Sequence, residues 1–94
     1  MTNLVLTRKA GTSVRLITDG VPEFLHILEV HGGHCVMRLE SCRHSQSVRF
    51  KGEMQIAEGV SVCVVDLAKG HAKLNFTAPR DVHILRTELI KEDV

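Results

Sequence analysis

Ninety-four residues, 12 Lys+Arg against 11 Asp+Glu and a formal net charge of +1 describe one small, near-neutral domain, too short for most catalytic architectures. Hydrophobic residues make up 44% and charged residues 24%, which excludes disorder, a collagen-like repeat or a charged tail as a description of the whole chain. A domain of this size buries about two-thirds of its unfolded surface, so it needs well-matched strand pairing, a staple or a partner chain.

From the N-terminus, Leu4-Val5-Leu6 before Arg8 and Lys9 is too short for a signal-peptide apolar core, and no later stretch reaches membrane-spanning length. The expectation is a cytoplasmic protein with no membrane partner. Apolar residues then recur with period two, as in Val14-Arg15-Leu16 and Val60-Ser61-Val62-Cys63-Val64, which is strand patterning. Turn signals at Ala10-Gly11, Asp19-Gly20, Gly32-Gly33, Lys51-Gly52, Glu58-Gly59 and Lys69-Gly70 cut the chain into an antiparallel meander. The predicted strands are 3–9, 13–18, 23–31, 34–41, 47–50, 60–68, 71–77 and 82–86. At the tail, 86–92 puts Leu89 and Ile90 on one side with Glu88, Lys91 and Glu92 around them, which predicts a short helix of about two turns.

The chain echoes itself. Ser13-Val14-Arg15-Leu16 returns 34 residues on as Ser47-Val48-Arg49-Phe50, and Glu29-Val30-His31-Gly32-Gly33-His34 returns 37 residues on as Asp66-Leu67-Ala68-Lys69-Gly70-His71. Asp19-Gly20-Val21 also matches Glu58-Gly59-Val60. These echoes predict two tandem three-stranded units, 13–41 and 47–77, joined by the polar linker Ser41-Cys42-Arg43-His44-Ser45-Gln46, with an insertion around 51–57 in the second.

Cys35, Cys42 and Cys63 are odd in number and lack a CxxC spacing, so reduced thiols are expected rather than a disulfide framework. His31-x-x-His34-Cys35 followed by Cys42-x-His44 has the residue types of a zinc site. A strand over 35–41 would hold the two clusters roughly 20 Å apart and send His34 and Cys35 to opposite faces, so neither a metal nor a cofactor is expected. There is no triad spacing, phosphate-cradling glycine loop or paired-carboxylate motif, and no enzyme is expected.

Outside the two units, Leu4-Val5-Leu6-Thr7-Arg8-Lys9-Ala10-Gly11-Thr12-Ser13 resembles the opening strand of the carbon storage regulator (CsrA/RsmA) family, with its Leu-Thr-Arg-Lys-x-Gly-x-Ser signature. Ala78-Pro79-Arg80-Asp81-Val82-His83-Ile84-Leu85-Arg86-Thr87-Glu88-Leu89 resembles that family's fifth strand and helix start. The resemblance implies an all-β, CsrA-like barrel or sandwich with a short C-terminal helix. It also implies an RNA-binding translational regulator that grips GGA-containing hairpin loops and represses translation or alters message stability. Carried over residue by residue, it implies an RNA surface of Leu6, Thr7 and Arg8 from strand one, Ala78 and Pro79 before strand five, then Ile84, Leu85, Arg86 and Glu88.

Strand alternation supports this surface by placing Leu4, Leu6 and Arg8 on one face and Val82, Ile84 and Arg86 on one face, an apolar shelf ending in a guanidinium. Loop bases and phosphates need such a shelf and an Arg fork, along with free strand-edge backbone. The competing readings are that Leu6 and Ile84 fill the core and that Arg86 is a solvated charge beside Glu88. Thr12, Leu85 and Thr87 depart from the family pattern, which bears on RNA preference. DNA is not an expected partner. The alternative function is a protein-interaction module that pairs with and antagonises an ordinary family member without binding RNA. Two central units with one first strand and one fifth strand predict a single-chain pseudo-dimer in which 3–9 pairs with 82–86 to form one RNA site, a homodimer being the rival.

Overall fold

The computed structural model describes residues 2–86, and within them the chain is entirely strand and turn. The predicted helix over 86–92 lies outside the described residues, except that Arg86 ends a strand. In chain order the strands are β1 (Thr2–Lys9), β2 (Ser13–Thr18), β3 (Val21–Val30), β4 (His34–Leu39), β5 (Gln46–Arg49), β6 (Glu53–Ala57), β7 (Val60–Ala68), β8 (His71–Ala78) and β9 (His83–Arg86). They form two antiparallel sheets, one ordered β1-β8-β7-β6 and the other β5-β4-β3-β2-β9.

Period-two alternation explains both the strands and their stacking. In β8, Ala72, Leu74, Phe76 and Ala78 are buried while the residues between them are exposed or half-buried. β2 contributes Val14 and Leu16, β3 Leu25 and Ile27, β4 Cys35, Met37 and Leu39, and β7 Val60, Val62 and Val64 to the same core. Burying each such side chain is worth about 1.5–3 kcal/mol, which lets a small sandwich do without a staple. Cys35, Cys42 and Cys63 are free thiols.

Three expectations are corrected. The 51–57 segment is not an insertion: it contains β6, whose Met54 is fully in the core, so the second three-stranded unit is β6-β7-β8 rather than 47–77. The echo between 13–16 and 47–50 does not join equivalent strands, because β2 lies inside its sheet between β3 and β9 while β5 ends that sheet beside β4. Finally, 3–9 does not pair with 82–86. β1 pairs with β8 from Thr2↔Ala78 to Lys9↔His71, and β9 pairs with β2 from Val14↔Arg86 to Ile17↔His83.

A similar pattern of backbone bonds recurs in the two sheets, at a spacing of 37 residues on the middle strand and 40 at the corner. Gly11 N–H donates to Ile27 O (2.7 Å) and Ile27 N–H to Thr12 O (2.9 Å); likewise Lys51 N–H donates to Val64 O (2.7 Å) and Val64 N–H to Gly52 O (3.0 Å). A β-bulge follows each exchange, at Leu28 in β3 and at Val65 in β7. Ala10 N–H to Gly70 O and Phe50 N–H to Gly33 O form a further matching pair. The Asp19-Gly20 turn has positive φ at both residues (51° and 77°), the geometry of a tight hairpin whose twist suits its strands.

Candidate nucleic-acid interface

Close approaches between the sheets run β5 to β6, β4 to β7 and β1 to β3. With the strand orders, this puts β1 and β9 on the side of the sandwich opposite β5 and β6. Each terminates its own sheet, so among the described residues each has a strand neighbour on one side only. Among the described residues, the backbone groups along the other side meet no neighbouring strand.

The two terminal strands are tied together through Arg8. Its guanidinium Nη2 donates to Ser13 O at 3.1 Å, linking β1 of one sheet to the start of β2, which carries β9 in the other. The tie continues along the outer face, where Ser13 Oγ lies 2.9 Å from His26 Nδ1 and His26 Nε2 lies 2.8 Å from Glu40 Oε1. Arg8 is only 3% exposed and Leu6 8%, so the apolar face that ends in this guanidinium points into the sandwich rather than outward.

The carried-over residues therefore divide by strand parity. Leu6, Arg8 and Ala78 are buried, Pro79 and Ile84 are half-buried, and Thr7 and Leu85 are exposed. Ile84 packs against the core from β9, while Leu85 faces the other way opposite Arg15. Pro79 opens the turn into β9, its carbonyl accepting from Val82 N–H at 3.1 Å. The backbone of Arg86 lies opposite Val14, and Glu88 lies outside the described residues. The sequence reading left out the cations that share the outward face with Thr7: Lys9 two residues on in β1, and Lys73 directly across from Thr7 in β8, both exposed. The parity of Thr7 and Lys9, opposite to that of Leu6, was the available signal.

Among the described residues no three His, Cys, Asp or Glu side chains gather at metal-binding distance. His31 instead stacks on His34, with ring centroids 4.5 Å apart, and its Nε2 lies 2.7 Å from Glu29 Oε1. Burial pushes the Cys35 thiol up to about 11, keeping it protonated at neutral pH. No described helix is long and apolar enough to cross a membrane.

A two-sheet antiparallel sandwich in which the first and last described strands end opposite sheets on one side defines a small all-β class. Residues 47–93 match the family model CsrA, described as a global regulator protein family. The chain belongs to that family. A translational regulator CsrA from Clostridium novyi (strain NT) is 44% identical over 45 residues, covering 47% of this chain and 62% of that protein. A second protein of the same name, from Campylobacter jejuni subsp. jejuni serotype O:6, is 43% identical over 37 residues, covering 39% of this chain and 49% of that protein. The matched region thus spans between half and about three-fifths of those relatives. No solved structure matches the chain.

Proposed function

We propose that this chain is a post-transcriptional regulator that binds GGA-containing hairpin loops in messages or small RNAs and thereby represses translation or alters message stability. The observation that carries this reading is the placement of β1 and β9 on one side of the sandwich, each ending its sheet, with the family signatures on both. Single-stranded loop bases are recognised on their edges by backbone and side-chain groups, and their phosphates by cations beside them. Thr7 and Leu85 offer exposed side chains here, and Lys9 and Lys73 offer charge.

In this reading Thr7, Pro79, Ile84, Leu85, Arg86 and Glu88 form the RNA-facing set. Leu6, Arg8 and Ala78 act from beneath by fixing the strands. A chain containing both three-stranded units would serve as its own partner, with one RNA site per chain. The names of the two curated relatives support regulation of translation, and the free strand edges support contact with loop bases.

The test is a gel-shift titration with a GGA hairpin and its GGA→CCA variant. Wild type should bind the first and discriminate against the second, and Arg86→Ala should weaken binding by about 1–3 kcal/mol, the worth of a guanidinium fork on a base edge or phosphate. Equal affinity for both RNAs would reject the reading in favour of a module that pairs with another family member.

A further inference from the structure

The outward face of the β5-β4-β3-β2-β9 sheet carries a row of side chains that begins at the loop site and runs away from it. Leu85 of β9 lies opposite Arg15 of β2, and Arg15 lies opposite Phe24 of β3. Their chain neighbours Val14, Leu16 and Leu25 fill the core, so alternation turns all three outward. Phe24 is half-buried yet lies outside the core cluster, unlike Phe76, which is buried within it. Arg38 of β4 faces His26, two residues from Phe24, which puts it diagonally across from the ring at about 7–8 Å.

The cations of this row are unmatched. The carboxylates along β3 and after β4 are engaged elsewhere: Glu23 with Ser41, Glu29 with His31 Nε2 at 2.7 Å, and Glu40 with His26 Nε2 at 2.8 Å. Arg38 Nη1 donates to the carbonyls of Leu39 (3.4 Å) and Cys42 (2.8 Å), which leave its charge unneutralised. Arg15 Nε is buried with no hydrogen-bond partner among the described residues. An aromatic ring with one such guanidinium beside it and another on its diagonal is the combination that grips single-stranded nucleic acid, bases stacking on the ring and phosphates meeting the cations. A protein interface needs a continuous apolar centre, whereas His26, Arg38 and Glu40 surround this ring.

We propose that this face is a second RNA-contact surface, on which unpaired nucleotides adjoining the GGA element stack on Phe24 and set their phosphates against Arg15 and Arg38. The inference rests on the RNA-binding reading above and extends it. Leu85 belongs to the RNA-facing set, so an RNA seated on β9 reaches Arg15 one strand spacing, about 5 Å, further in. Neither stacking nor phosphate contact reads base identity, so the surface adds affinity without lengthening the recognised sequence.

The test compares a minimal GGA hairpin with hairpins whose loop carries a run of unpaired uridines on one side of the GGA or the other, by fluorescence anisotropy on the intact chain. One of the two longer loops should bind about ten-fold tighter than the minimal hairpin, with a steeper salt dependence. Phe24→Leu, which keeps an apolar side chain and loses the ring, and Arg15→Gln should each remove most of that gain and leave the minimal hairpin's affinity unchanged. Arg15→Gln should also lower the salt slope for the longer loop by about 1. A fluorescent purine analogue in place of one added uridine should be quenched on wild type and not on Phe24→Leu. Equal affinity of wild type for the minimal and both longer loops, or a Phe24→Leu variant that weakens all of them alike, would overturn the proposal. So would an RNA-free species of twice the chain mass that Phe24→Leu dissociates, which would give the face to a second copy. A minimal hairpin that binds no better than its GGA→CCA variant would instead reject the RNA-recognition reading itself, and this extension with it.

Discussion

At the level of single residues, Arg8 illustrates how one side chain can join two sheets. It is almost completely buried, and its bond to Ser13 O crosses from one sheet to the other. A hydrogen bond from a charged donor contributes about 1.5–3 kcal/mol, and removing it would leave the Ser13 carbonyl short of a partner it now has. Arg8→Ala should therefore lower the urea midpoint by an amount equivalent to about 2 kcal/mol. Arg86→Ala should lose RNA affinity. A normal midpoint in Arg8→Ala would show that the tie between sheets is immaterial. Cys35 makes a second residue-level prediction. Its folded pKa is raised to about 11 from the ordinary 9.0, so the folded state holds the thiol proton more tightly than the unfolded state does. That contribution is fully present below pH 9 and is lost as pH rises towards 11, so unfolding free energy should fall across that window. In Cys35→Ala the same stretch of the curve should flatten. Under native conditions at neutral pH, iodoacetamide should modify exposed Cys42 and spare Cys35.

At the level of elements, most strands were legible because alternation of apolar residues writes a half-buried strand directly into sequence, as β2, β7 and β8 do. β6 was not, because Glu53-Met54-Gln55-Ile56-Ala57 is short and bulged and reads as an insertion once the echo is aligned on 13–16. Pairing was less legible still. Nothing in the residues of β1 states that β8 rather than β9 is its neighbour; that follows from how the two units stack. For the site, the parity of Leu4, Leu6 and Arg8 was correct, but an apolar row ending in a guanidinium looks the same whether it faces a base or a core, and only the opposite sheet decides. The corners leading into β2 and β6 also differ in a way that sequence alone hides. A Cβ on Gly52 would sit 2.8 Å from Arg49 O and 3.2 Å from Arg49 N, whereas one on Gly11 would meet nothing. Gly52 N–H also donates to Arg49 O at 2.7 Å, so this backbone cannot easily move away. Gly52→Ala should thus destabilise by about 1–3 kcal/mol through strain at the corner. A thermal midpoint equal to wild type would show that the corner yields.

At the scale of the whole molecule, the proposed stoichiometry follows from how the units share strands. The Cα radius of gyration is 12.5 Å, close to the roughly 12 Å expected of a compact single domain of this length. The sheet containing β2, β3 and β4 borrows β5 and β9 from the later part of the chain, and the sheet containing β6, β7 and β8 borrows β1 from the earlier part. Each unit is thus completed by strands from the other half. In the proposed reading this exchange is intramolecular, so assembly does not depend on concentration. β1 and β9 end their sheets on one side of the sandwich, and no second pair of comparable strands does so, since β5 has four residues against eight in β1 and β6 has no outer neighbour among the described residues. One hairpin should therefore bind per chain. Light scattering should give about one chain mass, near 10.4 kDa, unchanged on dilution. Titration of the GGA hairpin should saturate at one RNA per chain, and the slope of log affinity against log salt should be shallow, because a near-neutral chain neutralises few phosphates and the slope follows that number. A stable species of twice the mass binding two hairpins would mean that strands are exchanged between chains, which overturns the single-chain stoichiometry and leaves RNA recognition standing.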